Sequence, residues 1–491
     1  MNNQTRRDFL KSVALGAAAL TGSGCATSPL AKKESAPPGA QHPNILFLFT
    51  DDQRFDTIGA LNCPEIQTPN MDRLVRRGIA FTRAHIMGGT SGAVCMPSRA
   101  MLMTGRTLFH LQKRGATIPA DHAMLPEVLR QAGYRTFGTG KWHNGRSAYA
   151  RCFTDGGRIM FGGMSDHLAV PCYDFDATGA YPRSAQYKGE GFSSVMFADE
   201  AIRFIESTAR EEPFLAYVSF TAPHDPRMAP AEYTALYPPQ DVTLPPNYMP
   251  EHPFDNGEMT IRDEKLAPWP RTPEVVRRHL AAYYAMITHT DAQVGRILDA
   301  LERSGHAENT LIVFAGDNGL AVGCHGLLGK QSVYDHSVRV PLILCGPGIP
   351  QGGTSDALCY LLDLFPTLCD LAALPIPESV EGRSLVPVLR GDRPAVRDSV
   401  FLAYTKLHRG IRTADNWKLI KYNVRGQQTT QLFDLNRDPY EMRNLARDES
   451  AAGRLAELSA LLAGRMRELD DFCDLSEPSW ELARDAEENR R

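Results

Sequence analysis

The sequence predicts an α/β protein: a large, mostly parallel sheet flanked by helices, followed by a smaller C-terminal α+β subdomain. Three observations predict it. Short apolar runs from Asn44 onward stop abruptly at polar residues, as buried parallel strands do. Ile45 to Phe49 ends in Thr50-Asp51-Asp52, Phe214 to Phe220 precedes His224, and Leu311 to Ala315 ends in Gly316-Asp317-Asn318-Gly319. Helical signals separate these runs. After Gly391-Asp392-Arg393-Pro394 the texture changes to closely spaced strand-like runs and a helical tail. In sheets of this kind ligands gather beyond the carboxyl ends of the strands, so the polar strand ends are expected to converge.

At the N-terminus, residues 1–43 read as an export signal and linker: Thr5-Arg6-Arg7-Asp8-Phe9-Leu10-Lys11, an apolar stretch Val13 to Leu20 and then small residues have the layout of a twin-arginine signal. The apolar stretch is too short to span a bilayer. Cys25, after small residues, is a candidate lipid-attachment cysteine, although Gly22 stands where an aliphatic residue is usual; residues 26–42 form a tether. The main domain is expected over 44–395. Within it, Thr68-Pro69 starts a helix that Gly78 stops, Leu125 to Ala132 is a helix closed by Gly133, and Phe192 to Thr208 and Val275 to Arg303 are longer amphipathic helices. Prolines crowd Asp225 to Pro273 and predict a long irregular excursion that shapes a substrate pocket. The subdomain, 396–491, holds strand-like runs Val400 to Tyr404, Trp417 to Tyr422 and Gln431 to Leu435, then a helix near Leu455 to Leu469.

Composition sets outer limits. With 491 residues, 43% hydrophobic and 22% charged, the chain is neither disordered nor a small disulfide scaffold. Lys and Arg number 53 against 57 Asp and Glu, a net charge of −4, which excludes a nucleic-acid grip built on phosphate neutralisation. The ten cysteines contain no Cys-x-x-Cys pair, so zinc knuckles and thioredoxin-type redox motifs are excluded.

The chemistry concentrates in Cys95-Met96-Pro97-Ser98-Arg99-Ala100-Met101-Leu102-Met103-Thr104-Gly105-Arg106, where a cysteine sits among turn residues ahead of two arginines. The stretch resembles the signature of the type I, formylglycine-dependent sulfatases of the alkaline phosphatase superfamily, Cys-x-Pro-Ser-Arg-x-x-x-Leu/Met-Thr-Gly-Arg, and meets it at every fixed position. A second stretch, Gly133 to His143, resembles the family's other signature; read singly, His143 would be a structural histidine and Lys141 a surface charge. The resemblance continues through Asp51-Asp52, Ala222-Pro223-His224, Gly316 to Gly319, Gly326 to Lys330, Trp417 to Ile420 and Leu432 to Leu435, in the family's order.

The resemblance implies an alkaline-phosphatase-like fold and an enzyme that hydrolyses sulfate esters. It implies that an accessory formylglycine-generating enzyme oxidises Cys95 to an aldehyde whose hydrate is the nucleophile. Asp51, Asp52, Asp317 and Asn318 offer oxygen ligands, which suit Ca²⁺ or Mg²⁺ rather than zinc, with Ca²⁺ ahead; the resemblance adds position 95 to that set. It also implies that Arg99 steadies the hydrate, that Lys141 and Lys330 bind sulfate, and that His224 with Lys330 faces the leaving oxygen. His143 takes the proton that regenerates the aldehyde, Arg106 orients the nucleophile and His325 touches the leaving group. Sulfated carbohydrates are the expected substrates of an exported, periplasmic or lipid-anchored bacterial enzyme. Two alternatives stand beside this reading: a phosphonate or phosphate monoester hydrolase of the same superfamily, and an inactive glycan-binding lipoprotein. Intact Cys95, Arg99, Lys141, His143, His224 and Lys330 speak against the second.

Overall fold

The structure, a computed structural model, describes residues 42–480 except Asn62; the export signal and Cys25 lie outside the described residues. The main sheet has eight strands in the spatial order Gly353–Ser355, Gly78–Phe81, Leu342–Cys345, Thr310–Gly316, Asn44–Thr50, Phe214–Ser219, Arg135–Lys141 and Asp155–Met160. Asn44–Thr50 pairs in parallel with Thr310–Gly316 on one side (Ile45 opposite Leu311) and with Phe214–Ser219 on the other (Ile45 opposite Leu215). The sheet is mostly parallel, as expected; Leu342–Cys345 runs antiparallel to both neighbours.

Why the central run is continuously apolar is visible in its two faces. Ile45, Phe47 and Phe49 enter one core, with Trp142, Tyr217 and Val313, whereas Leu46 and Leu48 enter the other, with Phe197, Ile287 and Phe314. Successive side chains on a strand point to opposite faces, and helices cover both.

The expected helices form over Pro69–Arg77, Leu125–Gln131, Ser193–Ser207 and Pro273–Arg303. The last starts where Thr272 Oγ1 accepts from the Val275 amide at 3.4 Å, with Pro273 in the first turn. It also positions the site. Its Tyr283 hydroxyl donates to the Asp52 carbonyl at 2.6 Å and accepts from the Arg54 amide at 2.8 Å. Asp291, from the same helix, accepts from the Asn70 and Met71 amides at 3.1 and 2.7 Å, placing a carboxylate at the N-terminus of Pro69–Arg77.

The second sheet is antiparallel over Ser399–Tyr404, His408–Thr413, Trp417–Val424 and Gln427–Asp434, with helix Ala452–Glu468 after it. Its edge is completed by Gly88–Gly89, parallel to Ser399–Tyr404 and just ahead of Cys95. Gly88 has φ 100°, and a Cβ there would lie 2.0 Å from the Ala403 carbonyl oxygen, so only glycine permits this pairing. The change of sheet near residue 396 is therefore bridged by backbone that leads directly into the cysteine motif. No helix among the described residues is long and apolar enough to cross a membrane.

Arg409 locks this second layer to the C-terminal segment. Its Nε and Nη2 donate to Asp471 at 2.5 and 2.8 Å, both side chains fully buried. Asp471→Ala leaves that guanidinium buried without its carboxylate and is expected to cost about 3–5 kcal/mol. Urea unfolding monitored by circular dichroism measures this; the compensated pair Arg409→Met with Asp471→Leu should recover most of the loss.

Candidate active site

Four adjacent strands deliver their carboxyl ends to one place. Asp51 and Asp52 follow Asn44–Thr50, Asp317 and Asn318 follow Thr310–Gly316, His224 follows Phe214–Ser219, and Lys141 closes Arg135–Lys141 with His143 two residues on. Gly140 makes the last approach possible: at φ 85°, a Cβ would lie 1.9 Å from the Ser219 carbonyl oxygen.

Cys95 comes from the opposite side. It is the first residue of a buried helix, Cys95–Thr104, rather than part of a turn. Pro97 is tolerated because amides of the first turn have no intrahelical acceptor. Gly105, left-handed at φ 65°, closes the helix by donating to the Met101 carbonyl at 2.8 Å.

The side chains meet in a dense, buried network. Lys141 Nζ donates to Asp51 Oδ2 at 2.5 Å and to Cys95 Sγ at 3.4 Å, and His143 Nδ1 lies 3.4 Å from the same sulfur. Lys330 Nζ donates to Asp52 Oδ1 at 2.6 Å, as does Asn318 Nδ2 at 2.7 Å, while His224 Nε2 stands 3.6 Å from Asp52 Oδ2. Arg99 Nε donates to Asp317 Oδ2 at 2.8 Å, and its Nη1 donates to Ser219 Oγ and the Lys141 carbonyl at 2.6 and 3.1 Å. Asp317 Oδ1 accepts from the Asp52 amide at 3.0 Å. Two of its residues, Asp52 and His143, take left-handed backbone at φ 66° and 72°.

Burial and neighbouring charge set the protonation states. Burial pushes the Asp52 carboxyl up, but Lys330, His224 and Lys141 hold it well below the usual carboxylate range. Burial and Asp51 push Asp317 up to about 6, against Arg99 and Lys141. Burial, with Lys141 and Arg99, pushes His143 down to about 2, so its imidazole is neutral. His224 is likewise driven down by burial against the pull of Asp52. The Cys95 thiol is pushed up by burial against Lys141 and Lys330, which keeps it protonated and a poor nucleophile.

A hard cation fits this pocket. Oxygens of Asp51 and Asp317 and the sulfur of Cys95 lie within 4.8 Å of one another, all buried. Asp51 Oδ1 and Asn318 Oδ1 are buried without a hydrogen-bond partner, an arrangement that costs free energy unless something electropositive faces them. Oxygen donors suit Ca²⁺ or Mg²⁺.

Most of the expected site residues are brought together. His325 is not: its Nε2 bonds to the Glu441 carbonyl at 3.1 Å and its ring stacks on Tyr334 with centroids 4.0 Å apart. It belongs to the junction with the second sheet, where Glu441 and Asp335 share Lys418 at 2.6 and 2.8 Å. Arg106 also turns away, its Nε donating to the His110 carbonyl at 3.2 Å. Two residues of the site carry no assignment from the sequence. Ser219 receives Arg99, and Ser98 Oγ donates to the Asp317 carbonyl at 2.5 Å. Ser219 is the polar residue inside an otherwise apolar run, which is the available signal; Ser98 stands out only as a motif position.

Comparison with known proteins finds the same architecture. The sulfatase family model matches residues 43–374, and the model for the C-terminal part of N-sulphoglucosamine sulphohydrolase matches residues 323–469. The chain is 27% identical over 502 residues to an N-acetylglucosamine-6-O-sulfatase of Bacteroides thetaiotaomicron, covering 88% of this chain and 87% of that protein. It is 30% identical over 452 residues to an ulvan-active sulfatase of Formosa agariphila, covering 87% and 82%. A solved structure of a protein in complex with its substrate D-glucosamine-2-N,6-O-disulfate superposes with a TM-score of 0.74 at 26% identity, covering 89% of this chain and 99% of that one.

Proposed function

The chain belongs to the sulfatase family of the alkaline phosphatase superfamily and is a sulfuric ester hydrolase, and we propose that it removes sulfate from sulfated carbohydrates outside the cytoplasm, using formylglycine at position 95 and a bound calcium ion. Glycan substrates named for its relatives, N-acetylglucosamine 6-sulfate and ulvan among them, support the substrate class. The observation that carries the chemistry is the meeting at Cys95 Sγ of Lys141 Nζ and His143 Nδ1, each at 3.4 Å, beside the unpartnered oxygens of Asp51 and Asn318.

Asp51, Asp52, Asp317 and Asn318 would hold the ion, with position 95 beside them. When present, the ion supplies Lewis-acid polarisation of a sulfate oxygen, and formylglycine supplies an aldehyde hydrate as nucleophile. The chain's own residues do the rest. Lys141 and Lys330 place two buried ammonium groups where sulfate oxygens gather charge as the ester bond breaks. Arg99, fixed by Asp317 and Ser219, stiffens the Cys95 helix against the strand ends. His143, neutral and next to position 95, is placed to accept a proton there. His224, across the site beside Asp52 and Lys330, is placed to serve the leaving oxygen.

The direct test offers the sulfate and phosphate esters of one alcohol side by side; preferential hydrolysis of the sulfate is expected, and preference for the phosphate overturns the reading. The metal assignment has its own check. Asp317→Asn should lose bound calcium, measured by elemental analysis, while the fold persists, and a stoichiometric zinc ion in the native protein would refute the oxygen-donor assignment. Because burial and Asp51 lift the Asp317 carboxyl to about 6, protons compete with the ion below that pH. Calcium affinity, followed by titration calorimetry, is therefore expected to fall as the pH drops through about 6.

A further inference from the structure

We propose that Arg262 is a positioning residue for the reaction: it ties the loop that carries His224 to the loop that carries Lys330, and so fixes where His224 Nε2 stands in the site. This rests on the sulfatase reading above, in which His224 serves the leaving oxygen.

Arg262 opens the stretch Arg262-Asp263-Glu264 within the proline-crowded excursion. Its guanidinium spans two carboxylates. Nη1 donates to Asp225 Oδ1 at 3.1 Å and to Asp263 Oδ1 at 2.7 Å, and Nη2 donates to Asp225 Oδ2. Asp225 is thereby held through both oxygens, a geometry that a planar guanidinium fork imposes.

On one side the grip reaches His224. The imidazole Nδ1 donates to the Asp225 carbonyl at 2.8 Å and lies 3.4 Å from Asp225 Oδ1. With Nδ1 engaged, Nε2 is the nitrogen turned to Asp52, 3.6 Å away. On the other side the grip reaches Lys330. Asp263 Oδ2 accepts from Gln331 Nε2 at 2.7 Å, and Gln331 Oε1 accepts from the Lys330 amide at 3.0 Å. Glu264 holds the same loop by accepting from the Leu328 and Gly329 amides at 3.0 and 2.8 Å. Gly329 permits the close fit, since a Cβ there would lie 2.4 Å from Gln331 Oε1 and 2.9 Å from Asp263 Cβ.

Arg262 is the member of this stretch that joins the two sides. Asp225 and Asp263 are both buried and both accept from its Nη1, so without the guanidinium two like charges would face each other. The loops would then part, and His224 would move with Asp225. The Arg262 side chain itself is 45% exposed, so replacing it opens no core.

The test compares the sugar sulfate that the native enzyme cleaves fastest with nitrophenyl sulfate, measuring kcat and KM for each. Arg262→Gln should lower kcat on the sugar ester by roughly tenfold or more and on the phenol ester by less than about threefold, with KM almost unchanged for both. Asp225→Asn, which weakens the same grip from its other end, should show the same selective loss. In a His224→Ala background, adding Arg262→Gln should cost both esters the same factor, because the group whose position it fixes is gone. A selective loss that persists without His224 overturns the proposal. So does an equal loss on both esters in the native background, or a loss carried by KM, which marks a direct contact with substrate. A native enzyme that cleaves no sulfate ester overturns the sulfatase reading and the proposal with it.

Discussion

Cys95→Ala is expected to lower kcat on any sulfate ester by roughly 10⁴-fold or more, the scale at which enzymes lose their covalent nucleophile. The loss should be chemical rather than structural. Alanine suits the first turn of a helix, and the substitution removes the interactions of Cys95 Sγ with Lys141 and His143, both at 3.4 Å. The native thiol is itself unsuited to the reaction: burial raises its pKa, and it carries one exchangeable proton where an aldehyde hydrate carries two hydroxyls. Mass spectrometry of the peptide spanning Cys95 should accordingly find formylglycine in active protein. Full activity from protein whose position 95 is an intact thiol would end this account, and a Cys95→Ala variant that unfolds at a lower urea concentration than the native enzyme would show that the loss is partly structural.

How much of the fold and site is legible in the sequence varies with physical cause. Asn44–Thr50 and Thr310–Gly316 are readable because both faces of a central strand are buried and the polar residues at their carboxyl ends must do something. The helix Cys95–Thr104 is not, because all its residues except Met96 are buried and no polar face gives it a 3.6-residue period. Arg135–Lys141 reads as a motif rather than a strand, since Gly138, Gly140 and the flanking Arg and Lys hide its apolar character. His408–Thr413 escapes for a similar reason: His408, Arg409 and Arg412 are polar, yet buried, with Arg409 and Arg412 held by Asp471 and Asp335 that sequence spacing does not reveal. The same blindness misplaces His325. Proximity to Lys330 along the chain suggests the leaving group, but its partner, the Glu441 carbonyl, is more than a hundred residues away. Conversely the proline-crowded stretch Asp225 to Pro273 predicts a pocket, and Arg227 and Arg262 within it do line one.

The second large effect separates the two histidines. His224→Ala should slow cleavage by about 10³-fold for sugars and other alcohols of high pKa, and by within about tenfold for acidic phenols, because only the former need a proton as the bond to sulfur breaks. Its position supports this division: Nε2 lies 3.6 Å from Asp52 Oδ2, the carboxylate that also accepts from Lys330. His143 sits against Cys95, and burial keeps it neutral with a lone pair available at every physiological pH. His143→Ala should therefore let the first bond break but delay the release of sulfate from position 95. Alcohol should appear in a burst ahead of free sulfate, and the slow phase should depend little on which alcohol left. Stopped-flow detection of a phenol alongside a sulfate assay reads both quantities in one experiment. If the two variants share one leaving-group dependence, and alcohol and sulfate appear together in both, the two histidines do not divide the reaction between them, whatever the rate each variant retains.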